Sequence, residues 1–249
     1  MRKMKLNTGW LLLSLFVFWF AGVTPVFGVE SATQTETIKD ATGEEGPGMA
    51  PPRIVLPKYV KRGTPKDIRK KVPNLESDAE RDKTRERVLV PKDAVNLASK
   101  KEVTGSDEEP IIGDLEMITD GDKEATDGSF VELGPGVQYV QIDLGKRSKI
   151  YAIALWHYHQ EIRVYHDVVI KTADDADFIT HVTTVFNNDH DNSARLGVGK
   201  DKPYLEEYKG KLIGLKGIEG RFVRLYSNGN TSNGANDYIE VEVYGAPLE

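Results

Sequence analysis

The chain has no cysteine among its 249 residues. That excludes disulfide cross-links, thiolate metal sites, a cysteine nucleophile and lipid attachment through an N-terminal cysteine. Aromatic residues are scarce over one long stretch. Of the 21 Phe, Trp and Tyr residues, six lie in the first 28 positions, one (Tyr59) between 29 and 92, and 14 from 93 onward. Large rings dominate core burial, so only residues 93–249 are expected to bury a core, and that length suits one domain. The chain also lacks a Gly-x-Ser-x-Gly elbow, a His-Glu-x-x-His helix and a phosphate-binding Gly loop. The commonest hydrolase and nucleotide chemistries therefore have no motif here, and no pair of acids is singled out for glycoside cleavage.

Positive charge is also in short supply once the N-terminus is read. Arg2, Lys3 and Lys5 precede an apolar run at 10–20, and Pro25, Val26, Phe27 and Gly28 follow. This is the layout of a secretory signal peptide over 1–28. An uncleaved anchor is the alternative, because the run approaches the ~20 residues that span a bilayer. Cleavage leaves 30 Lys+Arg against 39 Asp+Glu, taking the formal charge from −6 to −9. Such acidity argues against nucleic acid or anionic lipid as the main partner and is compatible with cations and neutral sugars. The expected location is secreted or periplasmic, with no membrane insertion after cleavage.

Residues 29–92 hold seven of the twelve prolines and are dense in charge. Such a segment buries too little apolar area to offset its ordering entropy. It is expected to be a largely disordered linker, with a short, charged, solvated helix over 76–87 that lacks an apolar stripe. Ile54, Val55, Leu56 and Tyr59 are candidates to dock extended against the domain.

From 94 onward the pattern changes. Val140, Ile142 and Leu144 alternate with Gln141 and Asp143, the period-2 signature of a half-buried strand. Residues 150–158 are apolar on both faces, as in a central strand. Further strands are expected at 164–172, 182–186, 222–226 and 238–244, the last with Ile239, Val241 and Val243 inward and Glu240 and Glu242 outward. No amphipathic helix interrupts them. The class is all-β, two antiparallel sheets packed face to face.

Several constellations are candidate sites. Asp120, Gly121 and Asp122, with Thr126 shortly after, offer oxygens around a Gly-permitted turn, with carbonyls near Met117 to complete a calcium shell. The same residues also make an ordinary Asp-Gly turn. His157 and His159 are alternate strand positions that could share a transition metal, or form a hydrogen-bonded pair on a sheet face. His166 and Asp167 are adjacent, which points them to opposite faces and disfavours a base–orienter pair. The long polar stretch 186–208 offers Asn187, Asn188, Asp189, His190, Asp191 and Arg195 to sugar hydroxyls, and Tyr204 as a stacking face. A second metal at Asp189 and Asp191 is a weaker alternative. Asn228, Asn230 and Asn233 lie in a turn-rich loop whose simpler role is to close a hairpin.

The ordered set "NLASKKEVTGS" (96–106), "ITDGDKEAT" (118–126), "YVQIDLG" (139–145), the strand carrying Trp156, "RFVRLYSNGN" (221–230) and "YIEVEVYG" (238–245) resembles discoidin domains. These coagulation-factor C-type modules belong to the galactose-binding-like group, and the resemblance covers about 93–246. It is nearest to the versions exported by bacteria. The resemblance implies a jelly-roll β-sandwich, a structural calcium, and a ligand surface built from loops at one end. It adds Glu240 to Asp120, Asp122 and Thr126 as a calcium ligand. The family's hydroxyl or carbonyl ligand usually stands five residues after the first Asp, which is Ala125 here, so Thr126 is displaced by one and Ala125 can offer only its carbonyl. The implied function is an exported non-catalytic module that binds carbohydrate through Asn188, Asp189, His190, Arg195 and Tyr204. The alternatives are an adhesion module for a protein or envelope partner, and a small metal-dependent hydrolase using His157 and His159.

Overall fold

The computed structural model describes residues 48–58, 66–126 and 128–248, so the signal-peptide reading of 1–28 lies outside the described residues. In chain order the elements are β1 (Met49–Ala50), α1 (Lys66–Lys71), α2 (Asp78–Glu86), β2 (Val90–Pro91), β3 (Val95–Asn96), β4 (Val103–Gly105) and a 3-10 helix (Leu115–Thr119). There follow β5 (Val131–Leu133), β6 (Gln138–His157), β7 (Val169–Ala173), β8 (Thr183–Asn187), β9 (Lys211–Ser227) and β10 (Asn236–Pro247). No helix among the described residues is long and apolar enough to cross a membrane.

Two long strands organise the sandwich. β6 and β9 pair antiparallel from Gln138↔Ser227 to Leu155↔Lys211, with register shifts between Asp143 and Ser148 and between Ile150 and Ala152. At the first shift Gly145 takes φ +82°, a conformation in which a side chain is strained. The irregularity divides each strand between two layers. In the first layer, residues 138–143 of β6 lie between β4 and residues 222–227 of β9, and β7 and β8 continue the sheet. In the second, residues 148–157 of β6 lie between β10 and residues 211–220 of β9, and β10 also pairs with β3 and β5. Every pairing is antiparallel, and the all-β sandwich reading holds. The two runs read as separate strands at 139–145 and 150–158 are one bent strand.

The main core is shared by both layers. Val140, Ile142, Ile170 and Leu225 from the first pack with Ile153, Leu155, Val241 and Val243 from the second. The alternation in β10 is broken by a bulge between Tyr238 and Glu240. Tyr238 therefore takes the inward place, and Ile239 packs on the opposite face with Trp156. This corrects the expectation that Ile239 faces the core, because a bulge places one extra residue on one strand and shifts the phase.

The largest departure from the sequence reading is the segment before residue 93. A second cluster joins Val88 and Val90 to Ala152, Ala154, Trp156, Leu212 and Ile239, with Ile54 packed against it. Ile68 and Val72 pack on Val164 and Leu205. Helix α2 has a capping box, with Ser77 and Glu80 bonding each other's backbone N–H. It is not solvated all round: Arg81 is buried and paired with Glu207 at 3.1 Å. Buried Glu76 meets Lys211 at 2.7 Å, while Asp82 and Glu80 reach Lys209 and Lys202 at 2.8 and 2.7 Å. Residues 66–92 are thus ordered, packed on the loops at 164 and 205 and on the second layer, not a spacer, and the folded unit begins well before 93. Composition misled because the few apolar residues are spread out, and the charges find partners more than a hundred residues away.

Candidate functional site

Three loops meet at one end of the sandwich: 158–168 after β6, 188–210 after β8 and 228–235 after β9. Their meeting point is Asp167, a non-glycine residue at φ +51°. One of its carboxylate oxygens accepts from Ser193 Oγ at 2.8 Å and from Asn228 Nδ2 at 2.8 Å. Backbone bonds reinforce the junction, with the His166 N–H donating to the Gly229 carbonyl and the Asn228 N–H to the His166 carbonyl. Asn188 completes it, its side-chain oxygen accepting the Val168 N–H at 2.7 Å.

The residues expected to bind a ligand fall into two groups. Asn188 and Asp189 are buried and build the loop. The Asp189 carboxylate accepts the N–H groups of Ser193 and Ala194, both at 3.0 Å. Burial and the neighbouring Asp167 push its pKa up. Asp191 is exposed and held low by hydrogen bonds from Ser193. Oxygens of Asp167, Asp189 and Asp191 lie within 4.8 Å of one another. His190 and Arg195 are exposed, His190 with a ring nitrogen 2.8 Å from the Asp201 carbonyl. Tyr204 does not offer the stacking face expected of it. Only 2% of it is exposed, edge-on to Phe186 with the Lys211 ammonium 5.0 Å from its ring.

At the acidic loop, Glu240 is fully buried. One of its oxygens accepts the Gly121 N–H at 3.0 Å, and the other has no hydrogen-bond partner. Burial raises its pKa to about 8. Asp120 accepts the Asp122 N–H at 2.7 Å. Asp122 is engaged through both oxygens, with the Glu124 N–H at 2.9 Å and Ser129 Oγ at 2.8 Å. Thr126 turns toward Ser129, 3.3 Å away, in keeping with its displacement by one position. Lys123 brings its own cation, 2.8 Å from Glu242 and 3.4 Å from the Gly121 carbonyl. Glu240 thus keeps one oxygen for a cation, with Asp120 near enough for its charge to act on Glu240, while both Asp122 oxygens and the Thr126 hydroxyl are engaged in the turn.

His157 and His159 are each held by a different partner. His157 is 2.9 Å from Glu206 and stacks on Tyr165 at 4.1 Å, wholly buried. His159, beyond the end of β6, is 2.9 Å from the Lys123 carbonyl, and burial lowers its pKa. Both rings are hydrogen-bonded, but to different partners, and only His157 lies on the sheet. Glu206 and the junction role of Asp167 were missed, since each depends on contacts far along the chain.

No protein-family profile and no curated protein sequence matches the chain. Among solved structures it is similar to carbohydrate-binding modules. Chitosan-binding module 1 of a chitosanase/glucanase from Paenibacillus sp. IK-5 is 19% identical over 61% of this chain and 99% of that one, with TM-score 0.44. The family 32 module of NanJ from C. perfringens, solved with galactose, is 14% identical over 61% and 97%, with TM-score 0.45. A fucose-binding module from Streptococcus pneumoniae is 20% identical over 60% and 97%, with TM-score 0.43.

Proposed function

We propose that the protein is an exported, non-catalytic carbohydrate-binding module whose ligand surface is the loop end around Asp167. The observation that carries this reading is the junction itself. A set of hydrogen bonds, running from the buried Asn188 contact out to the exposed Ser193 one, ties three long loops together on a rigid sandwich, the arrangement on which binding residues are commonly mounted. His166, His190, Asp191 and Arg195 stand exposed on those loops, and Arg195 has no ion pair among the described residues. Such side chains match sugar hydroxyls, which both donate and accept.

A calcium ion is part of the proposal, held by Glu240 and Asp120 with nearby backbone carbonyls. Its support is the unpartnered buried oxygen of Glu240, since a buried carboxylate needs a compensating charge. Bound there, calcium would tie the 120–126 loop to β10. The test is a glycan array probed with the protein in calcium and again in chelator. Selective binding, weakened in Arg195→Ala and His190→Ala, is the expected result. A blank array would overturn the reading in favour of a protein partner.

A further inference from the structure

The outer face of the first layer carries a feature that the loop end lacks: rings and unpaired cations side by side. One rung crosses five strands, running Thr104 (β4), Gln141 (β6), Arg224 (β9), Lys171 (β7) and Thr184 (β8). At ~4.8 Å between strands the row is roughly 19 Å long. The neighbouring rung on the same face pairs Tyr139 with Tyr226, their rings 5.5 Å apart. The Arg224 guanidinium lies between Tyr139 at 4.5 Å and Phe178 of the 174–182 loop at 4.0 Å. It donates to Gln141 at 2.7 Å, to the Tyr226 hydroxyl at 3.2 Å and to the Ala176 carbonyl at 2.8 Å. None of these partners is charged.

Lys171 stands directly across from Arg224, half-buried, and its ammonium has no hydrogen bond or ion pair among the described residues. Burial and the Arg224 charge both lower its pKa, and no acid acts against them. Of the four acids nearest the face, three are committed elsewhere. Asp143, two positions along β6, is bidentate with Arg221. Asp174 holds Arg147 and His181. Asp175 accepts backbone N–H groups of its own loop, and Asp177 is exposed on that loop without an ion pair. Two adjacent like charges oppose folding, and here they persist in a chain of net charge −6.

We infer that this face docks an acidic glycan strand, its carboxylates on Lys171 and Arg224 and its sugar rings along Tyr139 and Tyr226. A guanidinium carries five N–H donors and an ammonium three. Three of the first and none of the second are spent within the protein. A carboxylate accepts charge-assisted bonds from both. Gln141, Thr104, Thr184 and the Tyr226 hydroxyl suit sugar hydroxyls. An acidic peptide fits less well, because peptides gain their backbone bonds at a sheet edge and this rung is mid-sheet. Nucleic acid is opposed by the net charge.

The surface is separate from the loop end, so the two readings can fail separately. The probe is a galacturonate hexamer, titrated calorimetrically against the protein and its Lys171→Gln and Arg195→Ala variants, with the carboxyl-reduced hexamer as control. The expected result is binding that weakens at high salt, falls about tenfold or more in Lys171→Gln, survives Arg195→Ala, and is absent for the reduced hexamer. No binding of the hexamer, equal binding of its reduced form, an unchanged affinity in Lys171→Gln, or equal binding of a hexaglutamate peptide would each overturn the inference. Arg195→Ala abolishing hexamer binding while Lys171→Gln retains it would also overturn it, and would move the glycan to the loop end. Circular dichroism of Lys171→Gln checks that the substitution leaves the fold intact.

Discussion

The two layers share one core and differ in what lies on their outer faces. On the second layer, Ile54, Val88 and Val90 lie over Ala152, Ala154, Trp156, Leu212 and Ile239. Even the outward carboxylates of β10 are buried, Glu240 under Gly121 and Glu242 against Lys123. On the first layer the same position in the fold carries Tyr139, Gln141, Arg224 and Lys171, partly shielded by the 174–182 loop. A sheet face is dry or wet according to whether another piece of chain reaches it. Here the covered face is apolar with paired charges, and the open one is aromatic with unpaired cations. The covered face serves stability, and the open face is left for other contacts.

The strongest way to break the contrast is to uncover the covered face. A chain cut to 93–249 loses the side chains that shield Trp156 and leaves Lys211 without Glu76. Burial of each large apolar side chain contributes about 1.5–3 kcal/mol. The truncated chain should melt more than ~10 °C below the protein or fail to fold, as read by scanning calorimetry. A milder break is Glu76→Ala, which strands the Lys211 ammonium where both side chains of the pair are less than a tenth exposed. Leaving one buried partner destabilises by roughly 3–5 kcal/mol. Glu76→Ala combined with Lys211→Met should recover most of that loss, and urea denaturation of both variants checks it.

Glu240 sharpens the comparison through pH. Its pKa is raised from 4.5 to about 8 by burial. A carboxyl raised in the folded state contributes its full stability below the unfolded value and loses it as pH rises through the folded value. In chelator, stability should therefore fall between about pH 4.5 and 8, by on the order of a few kcal/mol, and Glu240→Gln should flatten that slope. Calcium at a hundredfold excess over its dissociation constant should add about 2.7 kcal/mol at neutral pH. Identical melting in calcium and chelator would remove the ion from the proposal. The smallest stability effect belongs to the open face. Lys171→Gln should change stability by no more than ~0.5 kcal/mol in either direction, since it breaks no pair and relieves the repulsion from Arg224.

What was legible tracks the range of the interaction. The alternation around Val140 and Ile142 was read correctly because facing in a strand is set by the next residue but one. The two-sided burial of 150–158 was read correctly and for the wrong reason. It is covered by Val88 and Val90 from the segment taken for a spacer, and by Ile54, a docking candidate in the sequence, not by its place in mid-sheet. Ile239 was misplaced because a bulge leaves no mark on periodicity. Tyr204 was read as a surface ring from its polar neighbours, whereas the loop folds it beneath Lys211. The junction at Asp167 stayed hidden because Ser193 and Asn228 lie 26 and 61 residues away.

The sequence by itself determined where the strands run at their centres, though not their ends, together with the absence of cross-links and thiol chemistry and the class of sandwich, because periodicity and composition act through near neighbours. Only the tertiary structure decided which outer face is covered and which is open. It also decided that Glu240 keeps an unpartnered oxygen in the dark and that Lys171 faces Arg224 with no acid between them. Those outcomes depend on which distant segments come to rest against each other, and so on long-range packing and charge pairing that no local pattern encodes.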